Sequence, residues 1–112
     1  MPRRARVVVP EIAHHVIQRG NYQQCIFESD EDFRTYLYLV KEYARQYHVK
    51  IHAYCLMNNH VHFIVTPEDQ NGLAEIFRNV HTRFSQYKNL QKRRLGHLWQ
   101  GRFYSCVLSR TH

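Results

Sequence analysis

The first half of the chain shows a strand pattern followed by a helix pattern. Residues 12–19 are largely apolar and β-branched and stop at Gly20-Asn21, which predicts a strand that runs into a turn. Ser29 and Asp32 form a helix-capping signal. Apolar residues then recur at three-and-four spacing, which predicts an amphipathic helix facing a core; they are Phe33, Tyr36, Leu37, Val40, Tyr43, Ala44 and Tyr47.

The second half predicts two strands, a helix and a last strand. Extended runs cover residues 51–57 and 60–66, and Asn58-Asn59 between them tolerates left-handed backbone angles and suits a tight hairpin turn. We expect the following helix to fray in the basic segment 91–94, and residues 102–109 to form the last strand. The apolar positions of this second helix are Leu73, Ile76, Phe77, Val80, Phe84 and Tyr87.

The order of these elements is β-α-β-β-α-β, without a linker or repeat. It predicts a single α+β domain over residues 1–112, a ferredoxin-like sandwich with two helices on one face of a four-stranded antiparallel sheet.

Composition narrows the class of protein. A hydrophobic content of 44% and an aromatic content of 13% are typical of a globular chain. No apolar run reaches the roughly 20 residues that span a bilayer, and the N-terminus lacks the features of a secretory signal. The three cysteines are far apart and form no C-x-x-C pair, so we expect a reducing, cytoplasmic setting.

The charge is strongly positive and unevenly distributed. The formal net charge is +7, and no acidic residue follows Glu75. Such a one-signed region is typical of proteins that bind a polyanion, although a solvated basic surface explains the charge equally well. The basic residues after Glu75 are Arg78, Arg83, Lys88, Lys92, Arg93, Arg94, Arg102 and Arg110.

The candidate chemistry lies in the third predicted strand, at His60-Val61-His62. Residues i and i+2 of a strand project from the same face, about 6.5–7 Å apart. The two imidazoles therefore form two corners of a candidate metal site, whose third ligand must come from elsewhere in the fold. The alternative is a pair of surface histidines on a half-exposed strand.

Three stretches in order carry a family resemblance: HHVIQRGNYQQCIF, YCLMNNHVHFIV and GHLWQGRFYS. They resemble the HUH endonuclease superfamily, in particular the small insertion-sequence transposases and the REP-associated tyrosine transposases. The resemblance implies that His60 and His62 hold magnesium or manganese and that the partner is single-stranded or hairpin DNA. Because imidazole ligands favour a softer ion, we expect manganese to bind more tightly than magnesium.

The resemblance also implies a tyrosine nucleophile that forms a 5′-phosphotyrosine link. In these families the tyrosine lies on a helix after the WQGRF-type strand, with a polar metal ligand one turn later. The sequence ends at His112 before such a helix, so we expect this chain to be defective in covalent cleavage on its own. Tyr87 and Tyr104 do not match the family position, core packing explains both, and no catalytic residue is assigned.

Three groups of residues are candidates for nucleic-acid binding. Arg19 and Asn21 lie at a strand end, where arginine can contact phosphate. Trp99 and Phe103 flank Arg102 and offer a stacking surface beside positive charge, although Trp99 fits a core-capping role equally well. On the second helix, the basic residues that could follow a hairpin backbone, or simply form a solvated face, are Arg78, Arg83 and Lys88.

Two other function classes stay open. A non-catalytic module could hold hairpin DNA or RNA on the same sheet. A structural zinc site of His60, His62 and a cysteine is disfavoured because the cysteines lack ligand spacing. A homodimer also stays open.

Overall fold

A computed structural model describes residues 8–21, 25–92 and 98–108. The elements are β1 (His14–Arg19), α1 (Asp30–Gln46), β2 (Val49–Leu56), β3 (His60–Pro67), α2 (Gly72–Lys92) and β4 (Tyr104–Val107). The predicted order is confirmed, but β1 and β4 are shorter than expected. Helix α2 continues to Lys92, and the rest of the expected frayed segment lies outside the described residues.

The four strands form one sheet in the order β2-β3-β1-β4, with every neighbouring pair antiparallel. Together with the two helices this is the expected ferredoxin-like α+β sandwich. Strands β1 and β3 are the two inner strands, so the histidine pair of β3 lies on the most constrained part of the sheet.

Burial alternates strictly along β3, and this alternation separates a core face from an open face. Val61, Phe63 and Val65 are at most 1% exposed. His60 and His62, which alternate with them along the strand, are half-buried. The core combines aliphatic and aromatic side chains, and the rings of Phe63 and Phe77 pack 5.4 Å apart beneath the sheet. Both helices pack on the core face, and within residues 8–21, 25–92 and 98–108 no helix packs on the opposite face, which is called the open face below.

The turn between β2 and β3 is a two-residue hairpin, as predicted, but it does not use left-handed angles. The Met57 N–H donates to the His60 carbonyl over 2.9 Å, and neither Asn58 nor Asn59 has a positive φ. Both asparagine carbonyls instead accept hydrogen bonds from the loop after β1, at 2.6 Å from Ile26 N and 2.8 Å from Gly20 N. The turn is therefore held by tertiary contacts at the end of β3 that carries His60.

The start of α1 confirms the predicted cap and shows a buried ion pair. The Ser29 hydroxyl accepts from the Asp32 N–H at 3.2 Å, and the Asp32 carboxylate accepts from the Glu28 N–H at 2.8 Å. Lys88 of α2 is fully buried, and its Nζ lies 2.6 Å from both Asp32 and Glu28. Burial raises the pKa of Asp32, but hydrogen bonds from Lys88, the Glu28 N–H and Tyr87 outweigh it and hold that pKa below its usual value.

Replacing Lys88 by methionine should destabilise the protein by about 3–5 kcal/mol, because Asp32 would be left as a buried charge without its cation. Lys92→Met is the matched control, since Lys92 pairs with the same Glu28 but is 40% exposed, and its loss should cost less than about 1 kcal/mol. Urea denaturation measures both. Equal losses for the two variants would contradict a buried, stabilising role for Lys88.

A second titratable group in the core is His81, which is stacked on Trp99 with ring centroids 4.0 Å apart. Its Nε2 lies 2.8 Å from the Tyr36 hydroxyl. Burial lowers the pKa of His81 from 6.5 to about 3, so the folded protein keeps this imidazole neutral where the unfolded chain protonates it.

The contribution of neutral His81 to the free energy of unfolding should therefore be fully present above pH 6.5. It should decrease as the pH falls from 6.5 towards 3, by at most about 1.4 kcal/mol per pH unit. His81→Gln should flatten this dependence between pH 6.5 and 5, measured by urea denaturation at each pH. His48→Gln, at a side chain that is 69% exposed, is the control for the replacement of a surface histidine. An unchanged slope in His81→Gln would contradict the assignment.

Candidate metal centre and nucleic-acid interface

The histidine pair lies on the open face of the sheet, as its spacing predicts. The rings of His60 and His62 are 4.8 Å apart, centroid to centroid, and nearly perpendicular at 75°. Val61 between them is fully buried, which holds the backbone of this segment against the core. Both imidazoles are therefore fixed at their base, and both are half-buried on the open face.

Asn59 favours one tautomer of His60. Nδ1 of His60 lies 2.7 Å from the Asn59 side-chain oxygen. An amide oxygen can only accept a hydrogen bond, so this contact favours the tautomer of His60 that carries its proton on Nδ1. Its Nε2 is left with a lone pair, which is the form in which imidazole binds a metal ion.

His62 has a partner on β1 that the local sequence pattern does not indicate. Nδ1 of His62 lies 3.1 Å from Nε2 of His15, and the two rings are nearly parallel with centroids 5.3 Å apart. His14, the preceding residue, points the other way and is fully buried, with Nδ1 2.7 Å from the Ile12 carbonyl. Alternation along β1 separates the two histidines, but only the pairing of β1 with β3 shows which one meets His62.

The surroundings of His62 favour its neutral form. Burial lowers the pKa of His62, and the nearby side chains of His60, His15 and Arg19 lower it further. A neutral imidazole is the ligand form, so this environment suits metal binding.

The donor set fits a divalent ion as two of its ligands. His60 and His62 offer nitrogen donors on a rigid strand. Across the described residues 8–21, 25–92 and 98–108, no group of three histidine, cysteine or acidic side chains has a metal-binding arrangement. Cys55 pairs with His62 in the strand register but belongs to no such group.

Arg19 adds positive charge beside the histidine pair. It is exposed at the end of β1 and pairs directly with His60 across the two strands. Directly paired residues of neighbouring strands share a face, so Arg19 lies on the open face with the imidazoles. Asn21 follows at the strand end, where its N–H donates to the Leu98 carbonyl at 2.7 Å.

A family model described as "Transposase IS200 like" matches residues 8–112. The chain belongs to the IS200-like transposase family. No curated protein matches it significantly in sequence.

Two solved structures of transposases share the fold of this family member. One is a REP-associated tyrosine transposase bound to a REP hairpin, with a TM-score of 0.78, 16% identity and alignment over 98% of this chain. The chain spans 64% of the length of that protein. The other is a candidate transposase from Deinococcus radiodurans R1, with a TM-score of 0.67, 19% identity, and alignment over 97% of this chain and 88% of that one.

The prediction that Trp99 and Phe103 form a stacking surface in this IS200-like protein is wrong. Trp99 is 9% exposed and Phe103 is 7% exposed, so neither can present a ring face to a nucleotide. Trp99 forms an isolated bridge with Gly20 and packs on His81, which confirms its core-capping alternative. Arg102 between them stays exposed.

The basic residues of α2 also differ from expectation. Lys88 is fully buried in its ion pair with Asp32, so it cannot follow a DNA backbone. Arg78 is exposed and paired with Glu75, and Arg83 is exposed and donates to the Tyr43 hydroxyl at 3.2 Å. Both arginines belong to the helix layer, across the sheet from the histidine pair, so the structure does not bring them together with it.

The two tyrosines considered as nucleophiles lie in different settings. Tyr87 packs against Phe84 and donates to Asp32 over 2.8 Å, which confirms a packing role. Tyr104 is 61% exposed, so core packing is wrong as its explanation. It pairs with Ile17, which in turn pairs with His62, and so it shares the open face.

Among the described residues, no helix is both long enough and apolar enough to cross a membrane.

Proposed function

We propose that this chain is the hairpin-binding and metal-holding core of an HUH-type single-strand DNA transposase. The observation that carries the proposal is the histidine pair on the open face of β3, where Asn59 leaves Nε2 of His60 available to a metal ion. Membership of the IS200-like transposase family supports the proposal, because a metal ion held by the two histidines would serve the DNA strand transfer of a transposase.

In this proposal His60 and His62 would hold magnesium or manganese, with manganese the tighter of the two. The bound ion supplies Lewis-acid polarisation of the scissile phosphate. Arg19, on the same face, binds a phosphate next to that position through its planar, charged donors. The exposed Arg102, two residues before β4, is a further candidate for a phosphate contact.

The reaction that we propose for the family is the transfer of one DNA strand to a tyrosine. The phenol oxygen forms a bond to phosphorus and the P–O3′ bond breaks, which leaves a 5′-phosphotyrosine and a free 3′-hydroxyl that receives a proton. The joining step is the reverse. We assign no nucleophile among the described residues. The exposure of Tyr104 does not by itself make it one.

A second candidate is a hairpin-binding module that holds structured DNA or RNA without cutting it. The exposed Arg19, which pairs with His60 on the open face of the sheet, is the observation that favours it. An open, basic sheet face would serve binding without requiring a complete reaction centre.

The metal site predicts that His60→Ala weakens Mn²⁺ binding by at least about tenfold, because it removes one of two nitrogen donors. Titration followed by the electron paramagnetic resonance signal of free Mn²⁺ measures the affinity. His52→Ala is the matched control, since His52 is an exposed histidine near the same strand whose Nε2 bonds to Thr66 at 2.7 Å. If His60→Ala binds Mn²⁺ as the wild type does, the metal assignment is wrong.

The DNA site predicts that Arg19→Ala weakens binding of a labelled DNA hairpin and reduces the salt dependence of the binding constant by about one phosphate contact. Fluorescence anisotropy at several salt concentrations measures both quantities. Arg45→Ala is the control, because Arg45 is 78% exposed but lies on α1 in the helix layer. Equal effects of the two variants would show that only overall charge matters.

One readout separates the two candidate functions. The same hairpin is incubated with the protein and Mn²⁺ and analysed on a denaturing gel. A covalent protein–DNA adduct would contradict the expected defect in cleavage. Hairpin binding without an adduct, together with loss of Mn²⁺ affinity in His60→Ala, supports the metal-holding transposase core, whereas hairpin binding that Mn²⁺ and His60→Ala both leave unchanged supports the binding module.

A further inference from the structure

We propose that His15 is a positioning residue that holds the proton of His62 on Nδ1 and so leaves Nε2 of His62 available as a metal ligand. This inference rests on the proposed metal role of His62. It concerns a residue outside the His60-Val61-His62 segment and distant from it by 47 positions in sequence.

The contact between His15 and His62 is well defined by the sheet. His15 pairs with Ile64, and His62 pairs with Ile17, so the two histidines are diagonal neighbours on the open face of the two inner strands. Long side chains at such diagonal positions can meet. Their nitrogen atoms lie 3.1 Å apart and their rings are inclined by only 13°, which restrains the rotation of the His62 ring as well as its proton.

The position of one proton decides whether His62 can bind a metal. A hydrogen bond between two imidazole nitrogens contains a single proton. If His15 donates it from Nε2, neutral His62 carries its own proton on Nε2 and has no outward lone pair. If His62 donates from Nδ1, His15 accepts and Nε2 of His62 is free. Only the second arrangement is compatible with a ligand.

His60 has an equivalent hydrogen bond at Nδ1, with an amide oxygen as the partner in place of an imidazole. Its Nδ1 faces the side-chain oxygen of Asn59 at 2.7 Å, which can only accept. Metal-binding histidines generally donate their second ring N–H to such a partner, and loss of the partner typically costs 10–100-fold in metal affinity. His15 stands in the equivalent place for His62, so both imidazoles of the pair have a partner on Nδ1.

His15 could alternatively be a third metal ligand, but its geometry favours positioning. Its Nε2 lies 3.1 Å from Nδ1 of His62, which is a hydrogen-bond distance between the two rings. In the part of the chain that the structure describes, no three such side chains form a metal-binding group.

Histidine tautomers provide a test that does not depend on activity. In the ¹⁵N-labelled full chain without metal, long-range ¹H–¹⁵N correlation spectra should show His62 protonated on Nδ1. His15→Ala should shift His62 towards protonation on Nε2 and leave His60 unchanged. His15→Gln should restore the wild-type pattern, because its amide oxygen can accept from Nδ1 of His62. An unchanged His62 tautomer in His15→Ala would overturn the proposal.

Metal affinity gives the second readout. Mn²⁺ binding should weaken about 10–100-fold in His15→Ala and recover in His15→Gln, while His52→Ala stays at the wild-type value. Wild-type affinity in His15→Ala would overturn the proposal. So would a coordination shift of the His15 ring nitrogens on addition of diamagnetic Zn²⁺, since it would make His15 a ligand.

Failure of the proposed function would give a different result from failure of the proposal for His15. In that case His60→Ala would leave Mn²⁺ affinity unchanged, whereas the tautomer of His62 in the metal-free protein would still report on His15.

Discussion

The register of β3 between β1 and β2 is the constraint on which the rest of the structure depends. Val61, Phe63 and Val65 are buried against the helices, and this burial leaves His60 and His62 on the uncovered face. A slip by one residue would place both imidazoles in an aromatic core and expose the three apolar side chains. The same hydrophobic burial that stabilises the fold therefore presents the candidate metal ligands.

Positive charge serves two purposes in this protein. Lys88 is drawn fully inside, where it joins the start of α1 to the end of α2 through Asp32 and Glu28. Arg19 stays exposed beside His60 on the open face. The buried pair of Lys88 and Asp32 leaves the net charge of +7 unchanged, but Lys88 is one basic residue fewer on the surface available to a polyanion. The distinction needs the fold, since a lysine in either role looks the same in sequence.

The open face combines rigid and adaptable parts. His60 and His62 are held by the two inner strands and by partners on their Nδ1 atoms, so a bound ion would need little rearrangement of the chain. Arg19 and Tyr104 are exposed on the same face and have room to adjust to a nucleic acid. An enzyme and a binding module would both use this arrangement, and they differ in whether a nucleophile reaches the ion.

Local patterns determined much of this protein. Period-two and period-3.6 hydrophobicity predicted the six elements, the Ser29 cap and the shared face of His60 and His62, because each depends on neighbours a few residues apart. Tertiary structure alone decided that His15 meets His62, that Lys88 is buried and that Trp99 packs in the core. These outcomes depend on strand register and helix packing between residues some 45 or more positions apart, which no local periodicity encodes.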